Sequence, residues 1–253
     1  MINDFSYNGI NLRSFGFEIK NEPVYTVAER DKELIESAGA DGAELLDNEG
    51  FKNVPVDYEV NSDPYLCSEK SNRNLANNLI DWLFSSDNEY RVLRDTYHPG
   101  MFTLATPINP QSIECIGKGA VDTTLHFSRK PYWYTDEGQE VHTYELNDTD
   151  VTITIFNPML YNSKPYIKVT TGSAFELTTN GETAKKVTIA GVVSYVEIDS
   201  EEYNVHAGTT DFNDYTTGNY LPIFKPGENT LRIKSLGDRP ITKVEIIPRW
   251  RRL

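Results

Sequence analysis

The side chains able to ligate a metal or transfer a proton are scattered along this 253-residue chain. Its four histidines, His98, His126, His142 and His206, form no His-x-His, His-Glu-x-x-His or Cys/His array. Metal sites built on one local stretch need such spacing, because neighbouring ligands must converge on one ion. Glycine-rich phosphate-binding motifs and the Gly-x-Ser-x-Gly nucleophile motif are also absent from the sequence. The sequence therefore predicts neither a metal nor a cofactor.

One cluster of carboxylates, Asp199, Glu201 and Glu202, has the residue types of a glycosidase acid pair. Glycoside hydrolysis requires two carboxyl groups at a defined separation across a cleft. Neighbouring residues on a turn do not provide that geometry, so we expect the chain not to be an enzyme. A hydrolase is the rival hypothesis, and it predicts that Asp199→Asn or Glu201→Gln abolishes turnover.

Aromatic rings are the other feature that could bind a ligand. Trp133, Tyr134, Tyr215 and Tyr220 are candidates for a platform on which a sugar or a protein partner stacks, as in glycan-binding sandwich modules. The alternative is that these rings pack inside the protein. The residue types leave both open, so a carbohydrate-binding module that contributes to attachment at the host surface is a second hypothesis.

The elements that would position these residues differ along the chain, and residues 1–132 indicate strands with one helix. Apolar and polar residues alternate over 54–60, a period of two that is typical of a half-buried strand. Asn8-Gly9 and His98-Pro-Gly100 predict turns between paired strands. A helix is predicted over about 71–84, beginning at a Ser71 cap, because apolar residues recur there at helical spacing. Those residues are Leu75, Leu79, Trp82 and Leu83.

Residues 27–52 do not fit this pattern of strands. The segment is strongly charged, contains Gly39, Gly42 and Gly50, and shows no clear apolar face. Such a stretch buries little by itself. It is either a mobile loop or a projecting arm that becomes ordered against a partner, and the loop is the simpler interpretation.

Residues 133–253, which we predict to be a separate domain, show no helical period. Many short apolar runs with frequent turn residues predict a β-sandwich or jelly roll. The expected strands are 151–156, 166–171, 174–178, 186–189, 194–198, 202–206, 221–224, 231–234 and 242–247. The last two, separated by Gly237-Asp238, are predicted to pair as a closing β-hairpin. Arg249, Arg251 and Arg252 follow, and we expect them to bind acidic groups of the protein itself or of a partner.

The bulk composition excludes several classes of function. A net charge of −14 argues against tight nucleic-acid binding, which needs clustered Lys and Arg. No apolar run approaches the ~20 residues of a membrane-spanning helix, so no membrane insertion is expected. The start of the sequence lacks a secretory-signal pattern, and Cys67 and Cys115 lie in unrelated contexts. Folding in the cytosol with reduced thiols is the simplest expectation.

Several features occur in a fixed order along the chain. They are Arg30, Gly39-Ala-Asp-Gly42, the strand at 54–60, the Asn180-Gly181 turn, and residues 196–200, 221–230 and 246–251. Together they resemble the distal tail proteins of long-tailed, non-contractile phages of Gram-positive bacteria. The resemblance covers nearly the whole chain.

The resemblance implies a mainly β protein with two parts. The first is a tail-tube-like β-sandwich with one α-helix and a projecting arm, and the second is a C-terminal galectin-like or jelly-roll β-sandwich. It implies that the N-terminal domain, 1–132, forms a homohexameric ring in which the acidic segment 27–52 laps onto the neighbouring subunit. The candidate arm residues are Arg30, Asp31, Leu34, Ile35, Gly39, Gly42, Leu45 and Leu46.

The same resemblance implies a structural component of the virion, located at the distal end of the tail and assembled in the host cytoplasm. Its expected partners are further copies of itself, in one ring or in stacked rings, and other tail proteins. Those are the tail tube protein, the tape-measure protein, and the tail tip, fibre and receptor-binding proteins. DNA would pass through the centre of the ring without specific binding, which suits an acidic chain.

Overall fold

The computed structural model describes residues 4–36, 38–39, 41–62, 72–84, 89–108, 113–117, 120–192, 194–218 and 221–253. The chain divides into two compact units. The first runs to Trp133 and includes Leu253, and the second is Tyr134–Arg252. Over the described residues the protein is mainly β with one α-helix, so the predicted fold class is confirmed.

The described part of the first unit contains ten complete strands. They are β1 (Phe5–Tyr7), β2 (Ile10–Asn11), β3 (Phe17–Ile19), β4 (Arg30–Glu36), β5 (Ala43–Phe51), β6 (Val54–Ser62), β7 (Arg91–Asp95), β8 (Met101–Pro107), β9 (Ile113–Gly117) and β10 (Ala120–Arg129). Helix α1 (Asn72–Phe84) lies between β6 and β7, and β11 (Trp133–Thr135) lies at the boundary of the units. Seven strands form a curled antiparallel sheet in the order β2-β1-β7-β8-β10-β6-β3, and β9 pairs with β10.

Helix α1 buries its apolar stripe against this sheet. All four residues predicted for that stripe are buried, namely Leu75, Leu79, Trp82 and Leu83. They share one hydrophobic core with Phe5, Tyr58 and Phe127 of the sheet. This packing holds the helix, because a helix of 13 residues is only marginally stable in water. The predicted Ser71 cap lies outside the described residues.

The two turns predicted in this unit are confirmed. β1 and β2 pair across Asn8 and Gly9, which have φ angles of 51° and 76°. Positive φ at both central residues defines the type I′ turn that Asn-Gly favours. β7 and β8 pair across residues 96–100, which contain the predicted His98-Pro-Gly100 turn.

Residues 30–51 form a β-hairpin, and the loop interpretation of this segment is wrong. β4 and β5 pair antiparallel in a two-stranded sheet of their own. Their apolar residues occur as adjacent pairs, Leu34-Ile35 and Leu45-Leu46, and adjacent residues of a strand point to opposite faces. The alternation that marks a half-buried strand is therefore missing from the sequence. We call residues 30–51 the arm.

All strands of the second unit except the last, β23 (Arg251–Arg252), form two antiparallel sheets. Its strands are β12 (His142–Asp148), β13 (Asp150–Asn157), β14 (Tyr166–Thr171), β15 (Phe175–Thr179), β16 (Val187–Ile189), β17 (Tyr195–Asp199), β18 (Asn204–Ala207), β19 (Thr210–Asp211), β20 (Thr216–Thr217), β21 (Gly227–Ser235), β22 (Ile241–Ile247) and β23 (Arg251–Arg252). One sheet has the order β12-β22-β14-β17-β18-β19, and the other has the order β13-β21-β15-β16-β20. Apolar residues of both sheets meet in one core, as expected for a sandwich.

A bent ribbon of two long strands passes from one sheet to the other. β13 pairs with β21 in the five-stranded sheet, and β12 pairs with β22 in the six-stranded sheet. Asp150 pairs with Lys234 in one sheet, and Asp148 pairs with Ile241 in the other. Between these two pairs, one side of the ribbon therefore advances by two residues and the other side by seven. Residues 236–240 are the excess, and they form the corner. We call β12–β13 with β21–β22 the bent ribbon.

The predicted closing hairpin is therefore wrong, because β21 and β22 lie in different sheets. Both strands alternate, and Gly237-Asp238 has the composition of a hairpin turn. However, Ile233 and Ile241 both point into the core between the sheets. The two strands line opposite walls of that core, which a hairpin within one sheet would not achieve.

Two further predictions for this unit differ from the structure. Residues 221–224 were predicted as a strand, but they contribute a single bridge from Phe224 to Ser163. The strand β12 was not predicted, because its side chains are all exposed or only half-buried and its pattern is weak. Edge strands of this kind carry little periodic signal.

Candidate assembly surface

The arm presents apolar residues on both of its faces. Residues that oppose each other in an antiparallel pair share one face. Leu34 opposes Leu45 on one face, whereas Ile35 opposes Glu44 on the other, where Leu46 also lies. Each face therefore carries two large apolar side chains.

These four side chains are exposed by 73% (Leu34), 44% (Ile35), 56% (Leu45) and 45% (Leu46). A two-stranded ribbon is at best marginally stable alone in water. Covering a side chain of this size contributes about 1.5–3 kcal/mol before the costs of association are subtracted. The arm is therefore suited to docking on a surface that its own unit does not supply.

Polar and aromatic contacts hold the root of the arm. Arg30 forms an ion pair with Asp47 at 3.0 Å, and its guanidinium lies 5.8 Å from the centre of the Phe51 ring. Phe51 in turn meets the Tyr132 ring edge-on, with 5.9 Å between ring centres. The Lys52 N–H donates to the Glu29 carbonyl at 2.8 Å. These contacts fix the point at which the arm leaves its unit.

The tip of the arm depends on glycine. Gly39 and Gly42 have φ angles of 88° and 87°, a region that other residues rarely adopt. Apart from each glycine and its chain neighbours, no described atom lies within 4 Å of the position that a Cβ would occupy at either residue. The backbone conformation alone therefore requires glycine there. Ser37 and Ala40 lie outside the described residues.

The structure brings all eight predicted arm residues onto this one hairpin. Arg30 and Asp31 lie at the root, beside an irregularity in the strand register between residues 30 and 32. Their role in contacts between subunits stays a prediction. Sequence reasoning missed Val24 and Val27, which lead into the arm and are largely exposed. The available signal was a run of apolar residues between Pro23 and the charged segment.

The predicted aromatic platform is not formed by Trp133 and Tyr134, since both rings are buried. Trp133 stacks on His98 with 3.8 Å between ring centres, and the Tyr134 hydroxyl donates to Glu201. The alternative, that these rings pack inside the protein, holds for both. Tyr215 is exposed, and Tyr220 lies outside the described residues.

A buried polar network in the first unit explains one of the histidines. The Tyr58 hydroxyl donates to Asp95 at 2.8 Å, and His98 Nδ1 lies 2.8 Å from the other oxygen of that carboxylate. The backbone N–H groups of Tyr97 and His98 also donate to Asp95, at 3.1 and 2.9 Å. Burial raises the pKa of Tyr58, and the charge of Asp95 raises it further. Asp95 thus organises the β7–β8 turn.

The carboxylates considered for glycoside hydrolysis belong to an ion cluster. Arg249 donates to both oxygens of Asp199 at 2.7 Å, and the backbone N–H groups of Glu201 and Glu202 donate to one of them at 3.0 Å. Burial alone would raise the pKa of Asp199, but the hydrogen bonds and charge of Arg249 outweigh it and hold the pKa below its ordinary value. Asp199 is thus an ionised structural group.

The same cluster bears out the prediction for the arginines after β22. Arg249 and Arg251 each lie 3.7 Å from an oxygen of Glu201, and Arg251 donates to the Asn162 carbonyl at 2.8 Å. Between them Trp250 is buried in the core of the second unit. Two of the three arginines therefore bind acidic groups of the protein itself.

Two other kinds of site are not found in the described part of the chain. No group of three or more His, Cys, Asp or Glu side chains is placed there to hold a metal ion. No described helix has the length and apolarity to cross a membrane.

Comparison with known proteins places the fold. No protein-family model matches the chain, and no curated protein matches it in sequence. Among solved structures, however, the fold is that of a hub protein of the phage adsorption apparatus. One matching structure is the crystal structure of the SPP1 Dit protein, described as a paradigm of that apparatus in phages infecting Gram-positive bacteria. It covers 100% of both chains with a TM-score of 0.70 at 15% identity. At this identity the similarity shows the fold, and it confirms the resemblance inferred from the sequence at that level.

Proposed function

We propose that this chain is a structural phage tail protein, the hub on which the adsorption apparatus at the distal end of the tail is built. The observation that carries the proposal is the match of fold over the full length of both chains. The ion cluster at Asp199 supports a structural role, because its carboxylates are committed to arginines and backbone N–H groups. The protein would reside in the virion and assemble in the host cytoplasm.

The hub is proposed to be a homohexameric ring in which each arm docks on the next subunit. The arm leaves four apolar side chains exposed, and the proposal has it dock on a different patch of the next subunit. A contact between two different patches is head-to-tail, and such contacts close into rings or run on as filaments. The number six rests on the resemblance to distal tail proteins.

The proposed partners are those of a tail hub. The tail tube and tape-measure proteins would contact one side of the ring, and the tip, fibre or receptor-binding proteins would dock on the other. DNA would pass through the centre without binding, since a chain with a net charge of −14 repels a polyanion. Glycan binding is not proposed, because Trp133 and Tyr134 are buried.

Negative-stain microscopy and native mass spectrometry of the purified full chain test this proposal. We expect rings of six with a central hole. Replacing residues 31–50 by a short Gly-Ser linker should convert the rings to monomers in which both units remain folded. The control is Leu160→Ser, which removes an exposed apolar residue of the second unit and should leave the rings intact. A wild-type chain that is monomeric at every concentration, or an armless chain that still forms hexamers, contradicts the proposal.

A further inference from the structure

The outer face of the first-unit sheet, turned away from α1, has two halves of opposite chemistry. Leu93 and Thr103 are fully buried and mark the inner positions of β7 and β8. Side chains alternate along a strand, so their neighbours point outward. We call the outward residues of this half, with the flanking Tyr90 and Lys130, the β7–β8 face. It consists of Tyr90, Val92, Arg94, Phe102, Leu104 and Lys130.

The β7–β8 face is apolar and basic. Val92 opposes Leu104, and the Arg94 guanidinium lies 5.0 Å from the centre of the Phe102 ring. Lys130 Nζ lies 5.4 Å from the centre of the Tyr90 ring. None of the outward residues of β7 and β8 is a carboxylate. Tyr90 and Val92 are both more than a third exposed, so the face offers apolar area to a partner.

The other half of the outer face is acidic. Asp57, Glu59 and Asp122 point outward from β6 and β10. With Glu114, Lys20 and His126, Glu59 and Asp122 line a groove of about 410 Å³. Lys20 forms an ion pair with Asp122 at 3.0 Å, so its charge is already matched. This half would repel an acidic partner.

The arm has the chemistry that complements the β7–β8 face. From Glu33 to Asp47, both included, the sequence contains five carboxylates and no Lys or Arg. The same stretch carries all four exposed apolar residues of the arm. An acidic, apolar ribbon fits a basic, apolar face, and placing like charges opposite each other costs several kcal/mol.

We propose that the arm of one copy of this chain docks on the β7–β8 face of a second copy. The proposal rests on the proposed hub function and names the surface that receives the arm. The exposed apolar side chains of α1, Ile80 and Phe84, are a less suitable surface, because α1 carries Asp81 beside them and its only basic residue, Arg73, is at its first turn.

The root of the arm lies next to the β7–β8 face of its own unit. Asn53, directly after the arm, donates hydrogen bonds to the Tyr90 hydroxyl and to Ser128. The arm therefore leaves its own unit at the rim of its own β7–β8 face. A copy that receives an arm on this face keeps its own arm for a further copy, so the contact can continue head to tail.

Disulfide cross-linking of the full chain tests the docking surface. In a background with Cys67→Ser and Cys115→Ser, chains with Leu34→Cys are mixed with chains with Val92→Cys and oxidised. We expect cross-linked dimers between the two variants at about tenfold the yield obtained with Thr124→Cys, which lies on the acidic half; such a ratio corresponds to about 1.4 kcal/mol of preference. Equal yields with Val92→Cys and Thr124→Cys overturn the proposal. So does a disulfide that forms only when both cysteines are on one chain.

A charge exchange gives a second, independent readout. Arg94→Glu should lower the fraction of assembled protein about tenfold, and adding Glu36→Lys, on the face of the arm that also carries Leu34, should restore it. Arg73→Glu on α1 makes the same change in charge and should have no such effect. Wild-type rings without the Leu34–Val92 cross-link overturn this docking surface and leave the hub function standing. Absence of any oligomer refutes the hub function itself.

Discussion

The arm and the bent ribbon are both antiparallel strand pairs, but they place their apolar residues differently. In β13 of the ribbon, Val151, Ile153 and Ile155 alternate with exposed residues and all point into the core. In the arm, Leu34-Ile35 and Leu45-Leu46 are adjacent pairs, so each face receives one residue from each pair. The alternating pattern of β13 buries one face of the strand in a core within the chain. The adjacent apolar pairs of the arm place apolar side chains on both of its faces.

This difference indicates where the arm and the bent ribbon each obtain their stability. The ribbon is held by the sandwich that it helps to build, and its contribution should appear in the unfolding of a single chain. The arm buries little within its own unit, so its apolar residues should contribute only when another surface covers them. Matched substitutions in the two ribbons should therefore affect different measurements.

The largest effect is expected from removing one buried side chain of the ribbon. Ile153→Ala should lower the free energy of unfolding of the second unit by about 2–5 kcal/mol, because it deletes fully packed methyl groups and leaves a cavity. Leu45→Ala in the arm should change the unfolding of the isolated chain by less than about 0.5 kcal/mol and should instead weaken assembly. Thermal unfolding and native mass spectrometry measure the two effects. Equal loss of folding stability in both variants would show that the arm is packed within its own chain.

A smaller effect is expected from lowering the pH, which tests whether the ion pair of Asp199 with Arg249 stabilises the second unit. The pKa of Asp199 is lower in the folded protein than its ordinary value of about 3.9, so the unfolded state binds more protons as the pH falls. The stabilisation by Arg249 is present above about pH 4 and is lost as the pH falls through the folded-state pKa. Hydrogen bonds to a charged group contribute about 1.5–3 kcal/mol, so the expected loss is about 2 kcal/mol.

Thermal unfolding at pH 7, 4.5 and 3 measures this loss. The transition of the second unit is the one that Ile153→Ala shifts. Asp199→Asn should be less stable than wild type at pH 7, and the difference should shrink at pH 3. The control is Asp150→Asn, which removes the exposed ion pair with Arg232 and should matter less at every pH, since solvent screens surface pairs. If the wild type and Asp199→Asn lost the same amount of stability as the pH fell, the stabilising role of the Asp199–Arg249 pair would be contradicted.

The ribbon also shows what the sequence could predict and what it could not. Its buried strands were found because period-two alternation depends only on one buried face, as in β13 and β14. Which strands pair was not predictable, because alternation does not say in which sheet a strand lies. The five-residue corner at 236–240 resembles a hairpin turn in composition, and the shared core that pulls β21 and β22 apart is a tertiary property.

The arm shows the opposite case, in which location was predictable and conformation was not. Its boundaries follow from charge and glycine content, and all eight candidate residues lie on it. Its strands were missed, because adjacent apolar pairs cancel the alternating signal. The aromatic platform failed for a related reason. Trp133 and Tyr134 have the residue types of a binding surface, but burial is decided by distant residues such as His98 and Glu201.

The smallest effect is expected at the tip of the arm, where one substitution can be made in both regions. Gly42→Ala places a Cβ at φ 87°, where no described atom outside the chain neighbours lies within 4 Å, so it adds backbone strain of about 1 kcal/mol without a clash among the described residues. Gly181→Ala in the second unit does the same at φ 67°. Gly42→Ala should reduce assembly about fivefold and leave chain unfolding unchanged. Gly181→Ala should lower the unfolding temperature of the second unit and leave assembly unchanged. If Gly42→Ala instead lowered the stability of the single chain, the arm tip would be stabilised by its own chain. The contrast between the arm and the bent ribbon would then not hold.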